Sequence, residues 1–187
     1  LYISGHREYQ NEEAYSVTIF DRLDKIPVVA NSPRTSLFWV ALLRIMLGLL
    51  FLTTWGSNLS KGYYTPDGLV HFFSNVFPQS TNPLTWYADF INNVILPIRN
   101  VFAPFQLVTE GLMGLALLIG FFSRATSVAA AFFIVNTFLA TVGKDWPWSY
   151  FTILSILGVI FLTKAGRSVG MDGWLFRRFG EPPVPLW

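Results

Sequence analysis

Residues 105–142 read FQLVTEGLMGLALLIGFFSRATSVAAAFFIVNTFLATV. Phe105–Phe122 is apolar except for Glu110, and Ala125–Val142 carries no charge. Each run is about 18 residues, close to one hydrocarbon thickness at 1.5 Å per helical residue. Only Ser123-Arg124 lies between them, a link so short that two helices on either side must fold back antiparallel. Downstream, Trp146–Thr163 is a third uncharged run behind the Gly143-Lys144-Asp145 turn. Upstream, Leu37–Trp55 is a fourth, interrupted only by Arg44. The expected fold class is an all-α integral membrane protein, a bundle of four transmembrane helices.

Between the first two runs lie residues 56–104, too polar to cross and rich in aromatic rings. Trp86, Phe90, Val94 and Pro97 recur at helical spacing, with Asp89, Asn92 and Asn93 on another face. This predicts a helical segment lying in the membrane interface, the alternative being a loop packed over the bundle. Residues 1–36 read as a polar leader. It has no apolar core of the kind a signal peptide needs, and Pro27 and Pro33 break any helix before the first span. The expected organisation is a leader over 1–36, a membrane domain over 37–175 and a Pro-rich tail over 176–187.

Composition agrees. Of 187 residues, 52% are hydrophobic and 13% charged, against roughly 25% charged in a soluble domain. Mean hydropathy is +0.45. A net charge of +2 with no basic stripe gives no footprint for nucleic acid. The absence of cysteine excludes disulfides, thiolate catalysis and Cys-held clusters within the chain, and two histidines, neither in a span, exclude a bis-histidine haem. No metal site and no tightly bound cofactor are expected, so redox centres would belong to other subunits.

Orientation follows from the basic residues. With four spans both termini share a side, which holds nine Lys/Arg against Lys61, Arg99 and Lys144 on the other; this places both termini in the cytoplasm. Trp55, Trp86, Trp146 and Trp148 then form an exterior interfacial belt.

Three polar groups fall inside the spans: Arg44, Glu110 and Asn136. Counted from the helix ends, Glu110 lies roughly 8 Å above Arg44, with Asn136 near the same depth, so a buried network of the three is expected. Gly48 on the face of Arg44 and Gly114 on the face of Glu110 would let the two backbones approach. Such a network is either a proton-accessible, ligand-polarising site with Glu110 titrating, or a pair that orients the helices. His71, in the exterior segment, is suited to hydrogen-bond a carbonyl ligand or carry a proton, and is equally at home as a surface residue. The aromatic residues, 17% of the chain, either line a groove or face lipid.

Three segments carry a resemblance. The first is Leu43-Arg44-Ile45 with Gly48 to Leu52, then Trp55 and Lys61. The second is the glutamate-led, glycine-rich helix Glu110 to Arg124, and the third is Lys164 to Asp172, with Gly166-Arg167 and Asp172. Over about residues 37–175 the chain resembles the DoxX/DoxD family of four-helix membrane proteins, the latter named as the small subunit of thiosulfate:quinone oxidoreductase. The polar leader and the long aromatic loop, with Tyr63-Tyr64-Thr65-Pro66-Asp67-Gly68, lean toward the DoxD side. The resemblance implies a membrane subunit of a quinone-linked redox complex, in a prokaryotic plasma membrane. It would have lipids and other subunits as partners, quinone as ligand, and no catalysis on its own. It puts Trp55 and Lys61 forward beside His71 as quinone contacts, His71 for its imidazole, and marks Arg124, Gly166, Arg167 and Asp172 as motif residues. The competing expectation is a non-catalytic accessory subunit of a larger respiratory or photosynthetic complex. Small-solute transport is disfavoured, since no inverted repeats or paired broken helices are visible.

Overall fold

The computed structural model describes residues 37–181. The leader and the last six residues of the tail lie outside the described residues, and all statements below refer to those within. They form helices and turns, with no strand. Helix α1 spans Leu37–Ser60, α2 Pro66–His71, α3 Thr85–Phe90, α4 Arg99–Ile119, α5 Ser123–Thr141, α6 Pro147–Thr163 and α7 Met171–Phe179. α2 runs on as a wider, π-type turn over Phe72–Val76, α3 does the same over Ile91–Ile95, and single 3₁₀ turns cover Gln79–Thr81 and Ala165–Arg167.

α1, α4 and α5 are long and apolar enough to cross a bilayer; α6 is equally apolar and 17 residues long. Their outward faces are lined by large apolar side chains such as Met46, Val101, Leu112 and Leu162, which suits lipid as solvent. α1 packs most closely on α4, and α5 on α6. One core of Leu47, Phe51, Leu117, Ile134, Leu157 and Ile160 ties the four together.

The expected hairpin is present, with its turn at Gly120–Phe122. Gly120 closes α4 at φ +68°, a left-handed conformation that costs glycine nothing. α5 then opens under an unusual cap. The carboxylate of Asp172, from the start of α7, accepts from the backbone N–H groups of Phe122 (2.7 Å) and Ser123 (2.8 Å), satisfying donors a helix start leaves free. α7 also crosses the expected boundary between membrane domain and tail at residue 175.

At the other end, residues 61–98 fold over the bundle around a second core of Leu69, Tyr87, Ile91, Ile95, Ala103 and Ala140. Two buried amides lock this cover down. Gln79 Nε2 donates to Ala140 O at 3.0 Å and Asn82 Nδ2 to Leu139 O at 3.0 Å, occupying carbonyls that the end of α5 leaves unpaired. The segment expected to be helical near Trp86 is so, over Thr85–Phe90 and on through Ile91–Ile95. Trp86, Phe90 and Val94 are exposed, while Tyr87, Ala88, Ile91 and Ile95 are buried against the bundle.

Candidate functional site

The α1/α4 register decides which polar groups meet. A Cβ placed on Gly48 would lie 2.5 Å from Leu118 N, one on Gly114 3.0 Å from the Leu52 side chain, and one on Gly111 3.1 Å from the Trp55 indole nitrogen. Each step up α1 matches an equal step down α4. Trp55 fixes this register directly, its Nε1 donating to Leu107 O at 2.9 Å. Continued in both directions, the register sets Arg44 opposite the Gly120–Phe122 turn and Glu110 opposite Gly56. Twelve residues of α1 separate the two levels, roughly 18 Å.

Arg44 and Glu110 therefore form no ion pair, and the expected three-membered network is corrected. The estimate of 8 Å assumed that Leu37 and Phe122 stand level, whereas glycine-mediated packing slides α1 past the end of α4. Arg44 is fully buried (0% exposed) and donates through Nη2 to Val169 O. A Cβ at Gly120 would overlap its guanidinium, and Gly170 closes the other side. Asp172 is the anionic group acting on it.

The motif residues gather at that same end. A Cβ at Gly166 would collide with the Asp172 carboxylate and the Ser123 hydroxyl, so only glycine lets α7 dock there. Arg124 Nε donates to Phe161 O at 3.1 Å, with its guanidinium over the Phe161 ring. Arg167 lies over the Phe176 ring and pairs with Glu181 at 2.6 Å, and Lys164 joins that pair at 3.2 Å. The two cations hold the exposed Glu181 carboxyl down at about 2, the Arg167 hydrogen bond contributing most. Gly166, Arg167 and Asp172 thus act in a clasp that fastens the C-terminal segment at the α4–α5 turn, while Arg124 ties the start of α5 to the end of α6.

Glu110 stands in different company. It is 1% exposed and lines a cavity of about 710 Å³ that also touches Asn58, Tyr64, Gln106 and Asn136, with aromatic rings over much of the remaining wall. Two of the three expected network residues, Glu110 and Asn136, therefore share one cavity. Glu110 Oε2 and the Tyr64 hydroxyl are buried, and neither makes a hydrogen bond of standard geometry, although the two groups are close enough to act on each other. Asn58, Gln106 and Tyr64 are the polar side chains that act on the Glu110 carboxyl. Burial first, and the charge of Glu110 second, push the Tyr64 hydroxyl well above its ordinary range, so it stays an O–H donor. Across the cavity the Tyr87 hydroxyl donates to Asn136 Oδ1 at 3.0 Å, and burial pushes it up to about 12. Near the cover, the Tyr150 hydroxyl donates to Asp145 Oδ2 at 2.7 Å, and both residues line the cavity.

The three residues put forward as ligand contacts are elsewhere. His71 is exposed at the end of α2, Lys61 is exposed with its ammonium 5.9 Å from the Tyr63 ring, and Trp55 is spent on the α1/α4 register; none lines the cavity. The next two residues after His71, Phe72 and Phe73, do line it. Tyr64, Asn58 and Gln106 were missed by the sequence reading. The signal available for Tyr64 was its place in the Tyr63–Gly68 run, and for Gln106 its position one turn before Glu110.

The family described as TQO small subunit DoxD matches residues 39–183. The chain belongs to the DoxD family. Neither a curated protein nor a solved structure matches it. The DoxD match takes in α1 to α7, so it covers both the clasp and the walls of the cavity. With three helices of spanning length and this membership, the chain is an integral membrane protein.

Proposed function

We propose that this DoxD-family chain is the membrane subunit of a quinone-linked redox complex, and that the cavity beside Glu110 takes the quinone head. One observation carries the reading: a carboxyl 1% exposed, its Oε2 without a hydrogen bond of standard geometry, on the wall of a largely apolar cavity of about 710 Å³. That volume falls in the roughly 300–1,000 Å³ range of small-molecule sites, which combine an apolar lining with a few convergent polar groups. A planar head with two carbonyl acceptors suits such a site. Phe51, Phe102 and Phe133 give it ring faces to pack on and exclude water, while the Tyr64 hydroxyl and the Glu110 carboxyl stand on the wall as hydrogen-bonding groups for a carbonyl oxygen. A bound quinone supplies the two-electron chemistry. The protein's part is to orient the ring and to hold protons at Glu110 Oε2 and the Tyr64 hydroxyl. Electrons come from a partner subunit that oxidises a sulfur compound such as thiosulfate.

The same proposal includes four membrane spans. α6 covers roughly 26 Å, and Trp146 and Trp148 at its start extend it into the interface. The basic-residue count supports cytoplasmic termini, which puts the clasp inside and the cavity toward the exterior half. Trp86, Phe90 and Val94 then rest in the exterior interface or against the partner.

The test is thiosulfate-dependent reduction of a decyl-tailed benzoquinone by the complex isolated with its native partners. Glu110→Gln is expected to lower turnover about a hundredfold, in the range a general acid contributes, with assembly unchanged. Full turnover in an intact complex would instead make this chain the non-catalytic accessory subunit.

A further inference from the structure

The cavity has a direction. It is bounded along α4 by residues from Phe102 to Met113 and along α5 by residues from Ala129 to Ala140, so it is a slot roughly 16 Å long between these two helices. α4 and α5 are also in far less contact than α1 with α4 or α5 with α6. The rings bordering the slot are among the most exposed in the protein: Phe132 on α5 is 73% exposed and Phe105 on α4 is 59% exposed. Both belong to helices long and apolar enough to span the bilayer, so what they face is lipid. Phe132 and Glu110 each lie eleven residues from Phe121 on opposite arms of the hairpin, which sets Phe132 at the level of the buried carboxyl.

We infer that the cavity is loaded sideways from the bilayer, between α4 and α5 past Phe105 and Phe132, and that its ligand is a tailed, membrane-dissolved quinone whose tail stays in the slot and lipid. This rests on the quinone reading and adds the route and the amphiphilic class of ligand. The physical case is one of matching solvents. The slot is mostly apolar and carries the buried Glu110 carboxyl on its α4 wall, so an amphiphile already dissolved in hydrocarbon enters without crossing water, head toward Glu110 and tail outward. A lipid acyl chain offers no carbonyl at the depth of Glu110 and leaves that carboxyl unpaired; it is the competing occupant.

The experiment uses the full-length chain, with its native partners, in lipid nanodiscs. Binding of a decyl-tailed benzoquinone is followed by quenching of tryptophan fluorescence in stopped flow, and a water-soluble, tail-less sulfonated quinone serves as the comparison. Phe132→Ala and Phe105→Ala widen the opening and are expected to speed association of the tailed quinone roughly threefold or more with a much smaller change in affinity; Phe132→Trp is expected to slow it. Leu162→Ala, on a lipid-facing surface away from the slot, is expected to change neither. A tail-less quinone binding as fast and as tightly as the tailed one, or association rates unmoved by all three ring substitutions, overturns side loading while the cavity reading stands. No binding of the tailed quinone to the unsubstituted protein, with the slot occupied by lipid in native mass spectra, overturns both.

Discussion

Arg44 and Asp172 share the clasp, whereas Arg44 and Glu110 lie roughly 18 Å apart along α1, and mutational coupling separates the two arrangements. Arg44→Met and Asp172→Asn should show a coupling energy of about 0.5–3 kcal/mol in a double-mutant cycle read by unfolding in detergent, while Arg44→Met and Glu110→Gln should add within about 0.5 kcal/mol. Strong coupling of the second pair would contradict the register. A second consequence concerns tyrosine ionisation. Burial raises Tyr87 to about 12 in the folded protein from an ordinary value of 10, so its contribution to stability is complete below pH 10 and is lost as pH rises toward 12. Phenolate absorbance should show a component with its midpoint near 12, reduced in Tyr87→Phe. That Arg44 and Glu110 are buried was legible in the sequence, because a charge within an apolar span must find protein or water. Their partners were not. Those depend on how far one helix slides along another, and that is set by glycine contacts such as Gly48 on Leu118 rather than by helix ends.

Among the helices, the α1/α4 contact is the most sensitive to added volume. Gly48→Ala would press a methyl within 2.5 Å of the Leu118 backbone nitrogen, which cannot swing aside as a side chain can. It should cost about 1–3 kcal/mol, more than the gain of about 1 kcal/mol from alanine's better helix propensity. Gly158→Ala, with nothing within 4 Å of the new methyl, should be neutral or stabilising, as a thermal melt in detergent would show. Equal effects of the two would remove close packing as the reason for the register. The long runs and the two-residue link made the hairpin legible, since length and hydropathy are local properties. The cover over residues 61–98 was legible only as helical and aromatic. Its attachment depends on Gln79 and Asn82 reaching the α5 carbonyls, and nothing in a loop glutamine or asparagine announces a partner some 60 residues away. The Gly166 and Asp172 motif was visible as a pattern, yet its task of capping α5 emerges only when the C-terminal segment folds back.

For the whole molecule, the two ends carry different work: a charged clasp at one and a covered cavity at the other. The account requires the cavity end to face the exterior. Because the chain has no cysteine, Ser4→Cys and Ser80→Cys each introduce a single thiol. On intact cells a membrane-impermeant maleimide should label the site at 80 and not the one at 4, and the reverse pattern would invert the topology. A quinone head beside Glu110 would be caught by photolabelling. The assembled complex in lipid is irradiated with an azido-quinone bearing a decyl tail, and the modified peptides are mapped by mass spectrometry. Adducts are expected on the α4 stretch 102–113 and the α5 stretch 129–140, competed by unlabelled quinone and lost in Glu110→Gln. Competed labelling confined to the exposed loop around Lys61 and His71, or to a partner subunit, with both stretches unmodified, would contradict it.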